Sequence, residues 1–311
     1  MARRKQSNME PAVMTLNFDL GDTPVSYIDL SQCASIVNRR FYRQGLNWAV
    51  AGFRFGFEGA GVNVRVATLP NTWTISASWE KAMRHWQLQQ DEALEASGSE
   101  DSKGRFNDFK VYADTVHRTF GSTANQLPTN PGGFVANTDY LLGEEWWYSQ
   151  IVIPNDGAPG VTNEYLLTML GPDGVNSKGV IQGYVESRNV PQSPDPAGPA
   201  VKLSWLQEMF DVGQNLDDVT DNAQFRNDEL PYDQDLYPNQ WGNASSMPTH
   251  REISFTGTTI GAHQNMDGCN VPCGLIQVAH NHVGEPNSLT MQIMLIPGNH
   301  RGYLAESMVD M

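Results

Sequence analysis

The strongest constraint on the fold is a repeated alternation of apolar and polar side chains. Every second residue is apolar in segments 13–20, 48–57 and 62–69, at Met14, Leu16, Phe18, Leu20, Phe53, Phe55, Phe57, Val62, Val64 and Val66. Because successive strand residues point to opposite faces, this period of two predicts strands buried on one side. The turn Gly59-Ala60-Gly61 predicts that the second and third segments form a β-hairpin.

Further strands are predicted wherever apolar runs lie between turn residues. These segments are 106–112, 146–153, 164–170, 179–185, 252–256, 274–280 and 288–296. Helices are predicted over 31–43 and, for about 15 residues, around the apolar face from Trp79 to Trp86. The 28 glycines and 18 prolines fit a chain with many turns. The predicted fold is therefore all-β: a single jelly roll, or antiparallel β-sandwich, with long loop insertions and two or three short helices.

The domain organisation follows from the length and from two unusual segments. A chain of 311 residues can form one β domain with large loops. We expect a disordered basic arm over 1–12 and one jelly-roll domain over 13–311. Within that domain, the proline-rich and acidic stretch 188–250 is expected to be a long loop insertion, because proline cannot donate to a sheet ladder.

Charge is divided unevenly along the chain. The net charge is −15, but residues 1–120 hold 14 Lys/Arg against 13 Asp/Glu, whereas residues 121–311 hold 6 against 22. An acidic surface repels polyanions, so any nucleic-acid contact is expected in residues 1–120.

No stretch of about 18 apolar residues is present, so we expect no membrane partner. Three cysteines argue against a disulfide framework.

One group of residues near the C-terminus has metal-ligand chemistry. Cys269, Cys273, His280 and His282 offer sulfur and imidazole ligands that suit zinc. Their spacing fits no standard zinc finger, so the prediction is that they are ordinary core cysteines and strand histidines, with no metal and no cofactor.

An alternative interpretation of the same region is a cupin-like metal-dependent enzyme. Gly274, His280, His282 and Glu285 resemble the first cupin motif, and Pro297, Gly298 and His300 resemble the second. The spacing within both motifs is shorter than in that family. A second alternative is a glycan-binding β-sandwich module that uses loop aromatics such as Tyr237 and Trp241.

Basic residues and aromatics are concentrated at the start of the chain. The candidate nucleic-acid-binding residues are Arg3, Arg4, Lys5, Arg39, Arg40 and Arg43. Phe41 and Tyr42 lie between Arg40 and Arg43. Arginine contacts phosphates and aromatic faces stack on unpaired bases, which is a combination suited to single strands. The alternative is a solvated helix face, or arginines that pair with acidic groups of another subunit.

The same region carries a family resemblance. The stretch Tyr27 to Ser31, the run Asn38-Arg39-Arg40-Phe41-Tyr42-Arg43-Gln44-Gly45-Leu46-Asn47-Trp48-Ala49-Val50 and the segment Leu69 to Trp73 resemble capsid proteins of small circular Rep-encoding single-stranded DNA viruses. The helix that contains Trp79, Glu80, Lys81 and Trp86 continues the likeness. About 60 residues are covered specifically. Many such proteins begin with a longer basic arm than this chain has.

The resemblance implies a structural protein and not an enzyme. It implies a jelly-roll subunit that assembles with itself into an icosahedral shell, of about 60 copies or more, around a single-stranded DNA genome. The expected location is the virion, assembled inside the host cell. A host surface receptor or glycan is a further expected partner.

Overall fold

A computed structural model describes residues 11–102, 108–129, 146–154, 160–171, 176–187, 247–282 and 289–311. The strands of the described part are β1 Thr15–Asp19, β2 Val25–Asp29, β3 Leu46–Gly56, β4 Val62–Thr68, β5 Gln150–Pro154, β6 Thr162–Thr168, β7 Ser177–Gly179, β8 Thr249–Phe255, β9 His263–Val271, β10 Leu275–His280, β11 Thr290–Leu295, β12 Pro297–Gly298, β13 Gly302–Tyr303 and β14 Ala305–Ser307. The α-helices there are α1 Leu30–Asn38, α2 Trp73–Ala96, α3 Thr115–Phe120 and α4 Val180–Glu186.

Two antiparallel sheets contain most of the strands. Sheet I has the order β1-β11-β3-β9, and β14 extends the β11 side of β3. Sheet II has the order β2-β10-β4-β8. A smaller sheet, β5-β6-β7, contains one parallel pair, and β12 pairs with β13. The prediction of a mostly antiparallel β protein is confirmed.

A single apolar cluster joins the facing surfaces of the two sheets. Sheet I contributes Leu16, Phe18, Phe53, Phe55, Met291 and Ile293, and sheet II contributes Ile28, Val64, Val66, Phe255, Ile276 and Val278. All of these side chains are at most 1% exposed. Burial of each contributes about 1.5–3 kcal/mol relative to exposure, so the alternating residues stabilise the packing of sheet against sheet.

The predicted hairpin between segments 48–57 and 62–69 is wrong. Both segments are strands, but β3 pairs within sheet I and β4 pairs within sheet II. Their apolar side chains meet across the core instead of lying side by side in one sheet. Alternation fixes which side of a strand is buried, and that requirement is met equally by neighbours in a sheet and by partners across a sandwich.

Helix α1 follows β2 directly because Asp29 caps it. The Asp29 Oδ1 atom accepts hydrogen bonds from the backbone N–H of Ser31 at 2.9 Å and of Gln32 at 3.3 Å. The helix ends at Asn38, five residues before the predicted end, since Arg39 adopts the left-handed conformation with φ 52°. The residues from 39 to 45 therefore form a connection to β3 and not a helix face.

The outer side of sheet II is covered by the chain between β4 and β8. Tyr27, Ala67 and Leu275 of sheet II pack with α2, α4 and β6 in a second apolar cluster. Helix α2 has 24 residues, longer than expected. Segment 179–185, predicted as a strand, is mostly helix α4, and the four α-helices of the described residues exceed the predicted two or three short ones.

The predicted arm and insertion fall mainly outside the described residues. Of the arm 1–12, only 11 and 12 are described, and of the insertion 188–250, only 247–250 are described. β8 begins at Thr249, so the end of the predicted insertion overlaps a strand.

No helix among the described residues is long and apolar enough to cross a membrane.

Candidate nucleic-acid interface

The connection between α1 and β3 carries the three arginines predicted to contact nucleic acid. Arg39 and Arg43 are exposed and Arg40 is half-buried. Backbone N–H groups of Arg39 and Arg40 donate to the carbonyl groups of Ile36 and Ser35, which closes the end of α1. The arginines thus extend from a short, hydrogen-bonded turn.

Tyr42 anchors this connection in the core. Its backbone N–H donates to Ser35 Oγ at 2.8 Å, and its hydroxyl donates to the Arg301 carbonyl at 3.1 Å. Its ring lies 5.8 Å from the Trp48 ring and 5.5 Å from the Tyr303 ring. Burial raises the pKa of Tyr42, against the opposing effect of the Arg40 and Arg301 charges. The hydroxyl therefore keeps its proton and its hydrogen bond.

The turn between β12 and β13 approaches the same connection from the C-terminal end of the chain. The Arg301 guanidinium donates to the Phe41 carbonyl, although the two residues are 260 positions apart. The His300 ring lies 6.4 Å from the Tyr42 ring. Burial lowers the pKa of His300, and the Arg301 charge lowers it further. Near neutral pH, His300 is thus an uncharged hydrogen-bonding group beside a permanent cation.

These segments and α2 enclose a cleft of about 350 Å³. We call it the arginine cleft; it is lined by Phe41, Arg43, Gly45, Leu46, Trp79, Met83, Phe109, His300, Arg301, Ser307 and Val309. Two guanidinium groups and several aromatic rings meet there, and none of these lining residues is acidic. In a chain with a net charge of −15, this is a local site that can attract anions.

The structure places only part of the predicted set together. Arg43 lines the cleft, and Arg40 lies beside Tyr42 close to its wall. Arg39 is in the same turn, whereas Arg3, Arg4 and Lys5 lie outside the described residues. Sequence reasoning missed Arg301, because nothing in its neighbours distinguishes it from an ordinary surface arginine. Its role depends on a contact with a distant part of the chain.

The residues considered for zinc do not converge. Cys273 lies just before β10 and His280 ends it, which separates them by about 20 Å at the rise of a strand. Cys269 packs against the core between the sheets, whereas Cys273 belongs to the cluster outside sheet II. All three cysteines are free thiols. In the described ranges, no group of three or more His, Cys, Asp or Glu could hold a metal ion.

The histidines of the two cupin-like motifs lie at opposite ends of β3. His282 packs on Phe57, with ring centroids 5.2 Å apart, just after β3 ends. His300 packs on Tyr42, shortly before β3 begins, so these two histidines are separated by about 30 Å along the strand. Glu285 lies outside the described residues. The described histidines therefore do not form one site.

His280 is nevertheless an unusual residue. It is 6% exposed, and neither ring nitrogen has a hydrogen-bond partner among the described atoms. Burial lowers the pKa of His280, and the neighbouring His282 lowers it further.

The aromatics predicted for glycan binding, Tyr237 and Trp241, are not among the described residues.

Comparison with family models, with curated proteins and with solved structures finds no match to this chain.

Proposed function

We propose that this chain is a jelly-roll capsid protein that assembles with itself into an icosahedral shell around single-stranded DNA. The observation that carries the proposal is the nested pairing of eight strands. β1 pairs with β11, β2 with β10, β3 with β9 and β4 with β8, all antiparallel. Alternate pairs belong to opposite sheets. Nested antiparallel pairs of this kind support a jelly roll, which is a fold of many viral shells.

The cupin-like alternative uses the same kind of topology but needs a metal site. Its candidate histidines lie at opposite ends of β3. This separation favours a shell subunit over the enzyme.

Exposed apolar side chains support contact with copies of the chain. Leu88 on α2 is 59% exposed and Trp147 is 66% exposed. Val152 of β5 is 39% exposed. A neighbouring copy that covers such side chains removes their apolar surface from water.

The charge distribution supports a nucleic-acid partner at one end of the molecule. Arg40, Arg43 and Arg301 cluster where α1 connects to β3. Residues 121–311 are strongly acidic by contrast. One chain can then remain soluble through its acidic surface and still bind an anionic genome through the arginines.

Assembly is tested by purifying the recombinant chain and measuring its mass by light scattering and its shape by negative-stain microscopy. We expect closed particles of uniform diameter. A stable monomer at high protein concentration, across a range of ionic strengths and with single-stranded DNA added, would contradict the proposal.

The genome partner is tested on the same particles after nuclease treatment. Protected nucleic acid that is degraded by a single-strand-specific nuclease, once the particles are disrupted, is the expected result. Protection of RNA or duplex DNA instead would leave a shell protein but refute the single-stranded DNA genome.

A further inference from the structure

We infer that the arginine cleft is a binding pocket for one nucleotide of single-stranded DNA. In this arrangement the phosphate contacts the guanidinium groups of Arg43 and Arg301, and the base contacts the half-buried Phe41 ring, which lines the cleft together with the buried Trp79 and Phe109 rings of its floor. The inference rests on the nucleic-acid part of the proposed function and specifies the site and the size of the bound unit.

The walls of the cleft are held together by contacts between distant segments. Arg301 donates to the Phe41 carbonyl, which joins the β12–β13 turn to the α1–β3 connection. The Met308 backbone N–H donates to the Gly45 carbonyl at 3.1 Å. Ser76 Oγ on α2 donates to a main-chain oxygen of Met311 at 3.1 Å. The pocket is thus formed before a ligand arrives, which reduces the entropic cost of binding.

The charges of the pocket suit a phosphodiester. Arg43 and Arg301 are permanently charged, and each can donate two parallel hydrogen bonds to a phosphate. His300 is uncharged near neutral pH, because burial and the Arg301 charge lower its pKa. It adds a polar contact without a third full charge, so the cleft matches a single phosphate better than a run of several.

The floor consists of packed aromatic rings and holds an unused donor. Trp79 is 4% exposed, and its ring lies 5.6 Å from the Phe109 ring. Its indole N–H is buried and has no acceptor among the described atoms. A buried donor without a partner is costly, and a bound base or phosphate oxygen would provide the acceptor.

Gly45 is what lets Trp79 form this floor. A Cβ atom at position 45 would overlap the Trp79 indole ring. The backbone that leads from Arg43 therefore runs directly against the aromatic floor, which places a charge and a ring on the same small cleft.

The size of the cleft favours one unpaired nucleotide. Its volume of about 350 Å³ lies at the small end of ligand pockets, which span about 300–1,000 Å³. A base in a duplex is stacked and paired, so it enters a pocket only after it leaves the helix. Single-stranded DNA avoids that cost.

The test uses a fluorescently labelled oligothymidylate and the purified protein, with affinity measured by anisotropy over a series of salt concentrations. Arg43→Gln should weaken binding by about tenfold or more, because a charged hydrogen bond is lost. It should also lower the slope of log affinity against log salt by about 0.7. Arg54→Gln, which removes an exposed arginine of β3 outside the cleft, is the matched control and should change affinity much less. Equal effects of the two substitutions, or no binding by the wild-type chain, would overturn the inference.

A second probe tests the contact with the base. An abasic oligonucleotide of the same length keeps every phosphate but offers no base to the Phe41 ring, so it should bind the wild-type protein several-fold more weakly. Equal affinity for the two oligonucleotides would refute a nucleotide pocket.

Particle formation separates this inference from the proposed function. Arg43→Gln protein should still assemble, with weaker DNA binding. If the substitution abolishes particles and leaves oligonucleotide affinity unchanged, the cleft is an interface between copies and the inference fails while the shell function stands. If the wild-type chain binds oligonucleotides through the cleft but forms no particles, the shell function fails instead.

Discussion

At the scale of single residues, buried polar side chains join the segments between β4 and β8 to sheet II. His117 of α3 lies against Tyr27 of β2, with parallel rings 4.4 Å apart. The Tyr27 hydroxyl donates to Asp114 Oδ1 at 2.7 Å. Such contacts fix the position of α3, because each partner would be left unsatisfied if the segment moved.

His117 should make stability depend on pH. Its Nδ1 accepts from the Ala113 N–H, and its Nε2 contacts Asn125 Oδ1 at 2.8 Å, so a second ring proton has no acceptor. Burial accordingly lowers the pKa of His117 to about 4. The unfolded chain binds the proton more tightly, so this residue should reduce stability by about 3 kcal/mol as pH falls from 6.5 to 4.

The measurement is urea unfolding of wild type and His117→Gln across that pH range. Glutamine can still accept from Ala113 and donate to Asn125 but cannot be protonated, so the variant should lose less stability at acidic pH. His85→Gln, on the exposed side of α2, is the control and should follow the wild-type profile. Parallel profiles for all three proteins would show that His117 is not the source.

Asp29 should be the most costly carboxylate to remove. It is fully buried, caps α1, and its Oδ2 accepts from Gln44 Nε2 at 3.1 Å and Trp146 Nε1 at 3.0 Å. Burial raises the pKa of Asp29 to about 6, although these hydrogen bonds oppose the shift. Asp29→Ala should lower the free energy of unfolding by about 3 kcal/mol, since it removes a cap and leaves buried donors unpaired.

Chemical denaturation at constant pH measures this loss. Asp19→Ala is the comparison, because Asp19 is exposed and accepts one local hydrogen bond from Gly21 at 3.3 Å; it should cost less than about 1 kcal/mol. Similar losses for both substitutions would contradict the role given to the Asp29 network.

At the scale of elements, sequence patterns predicted most strands but not their partners. The alternation in 48–57 and 62–69 correctly predicted two strands. It does not indicate which sheet each strand joins, because strands of either sheet bury their apolar side chains in the same core. β9 was missed because only Met266 and Val271 of its nine residues are buried. Segment 179–185 has the composition of a strand but packs on α2 as a helix, because tertiary contacts outweigh a weak local preference.

Gly45 allows a close approach between two elements. A methyl group there would collide with the Trp79 ring of α2, so Gly45→Ala should destabilise the fold by about 1–3 kcal/mol through overpacking. Gly183→Ala is a suitable control, because Gly183 lies within α4 and has open space around its Cα. That change should be neutral or stabilising by up to about 1 kcal/mol. Thermal unfolding of both variants checks the difference, and equal melting temperatures would refute the close packing.

At the scale of the whole molecule, the candidate site was only half visible in the sequence. Arg43 and Phe41 are noticeable in the sequence because basic and aromatic residues are neighbours there. Arg301 and Trp79 are not, since they reach the cleft through the rolled chain and the packing of α2. The nested pairing of strands brings the two halves of the chain together, so sites at the ends of the two sheets combine residues that are far apart in sequence.

The exposed Trp147 side chain should govern assembly and not folding. Trp147 is 66% exposed, so Trp147→Ser removes little buried area from the isolated subunit, and its unfolding free energy should change by less than about 0.5 kcal/mol. If a neighbouring copy covers this side chain, the same change removes one large aromatic contact from every interface, and closed shells repeat that loss at each subunit. The protein concentration needed to form particles, measured by light scattering, should therefore rise at least tenfold.

Val116→Ser, at a 40% exposed position on α3, is the control and should assemble like wild type. Unchanged assembly of Trp147→Ser would place the contacts between copies elsewhere on the surface.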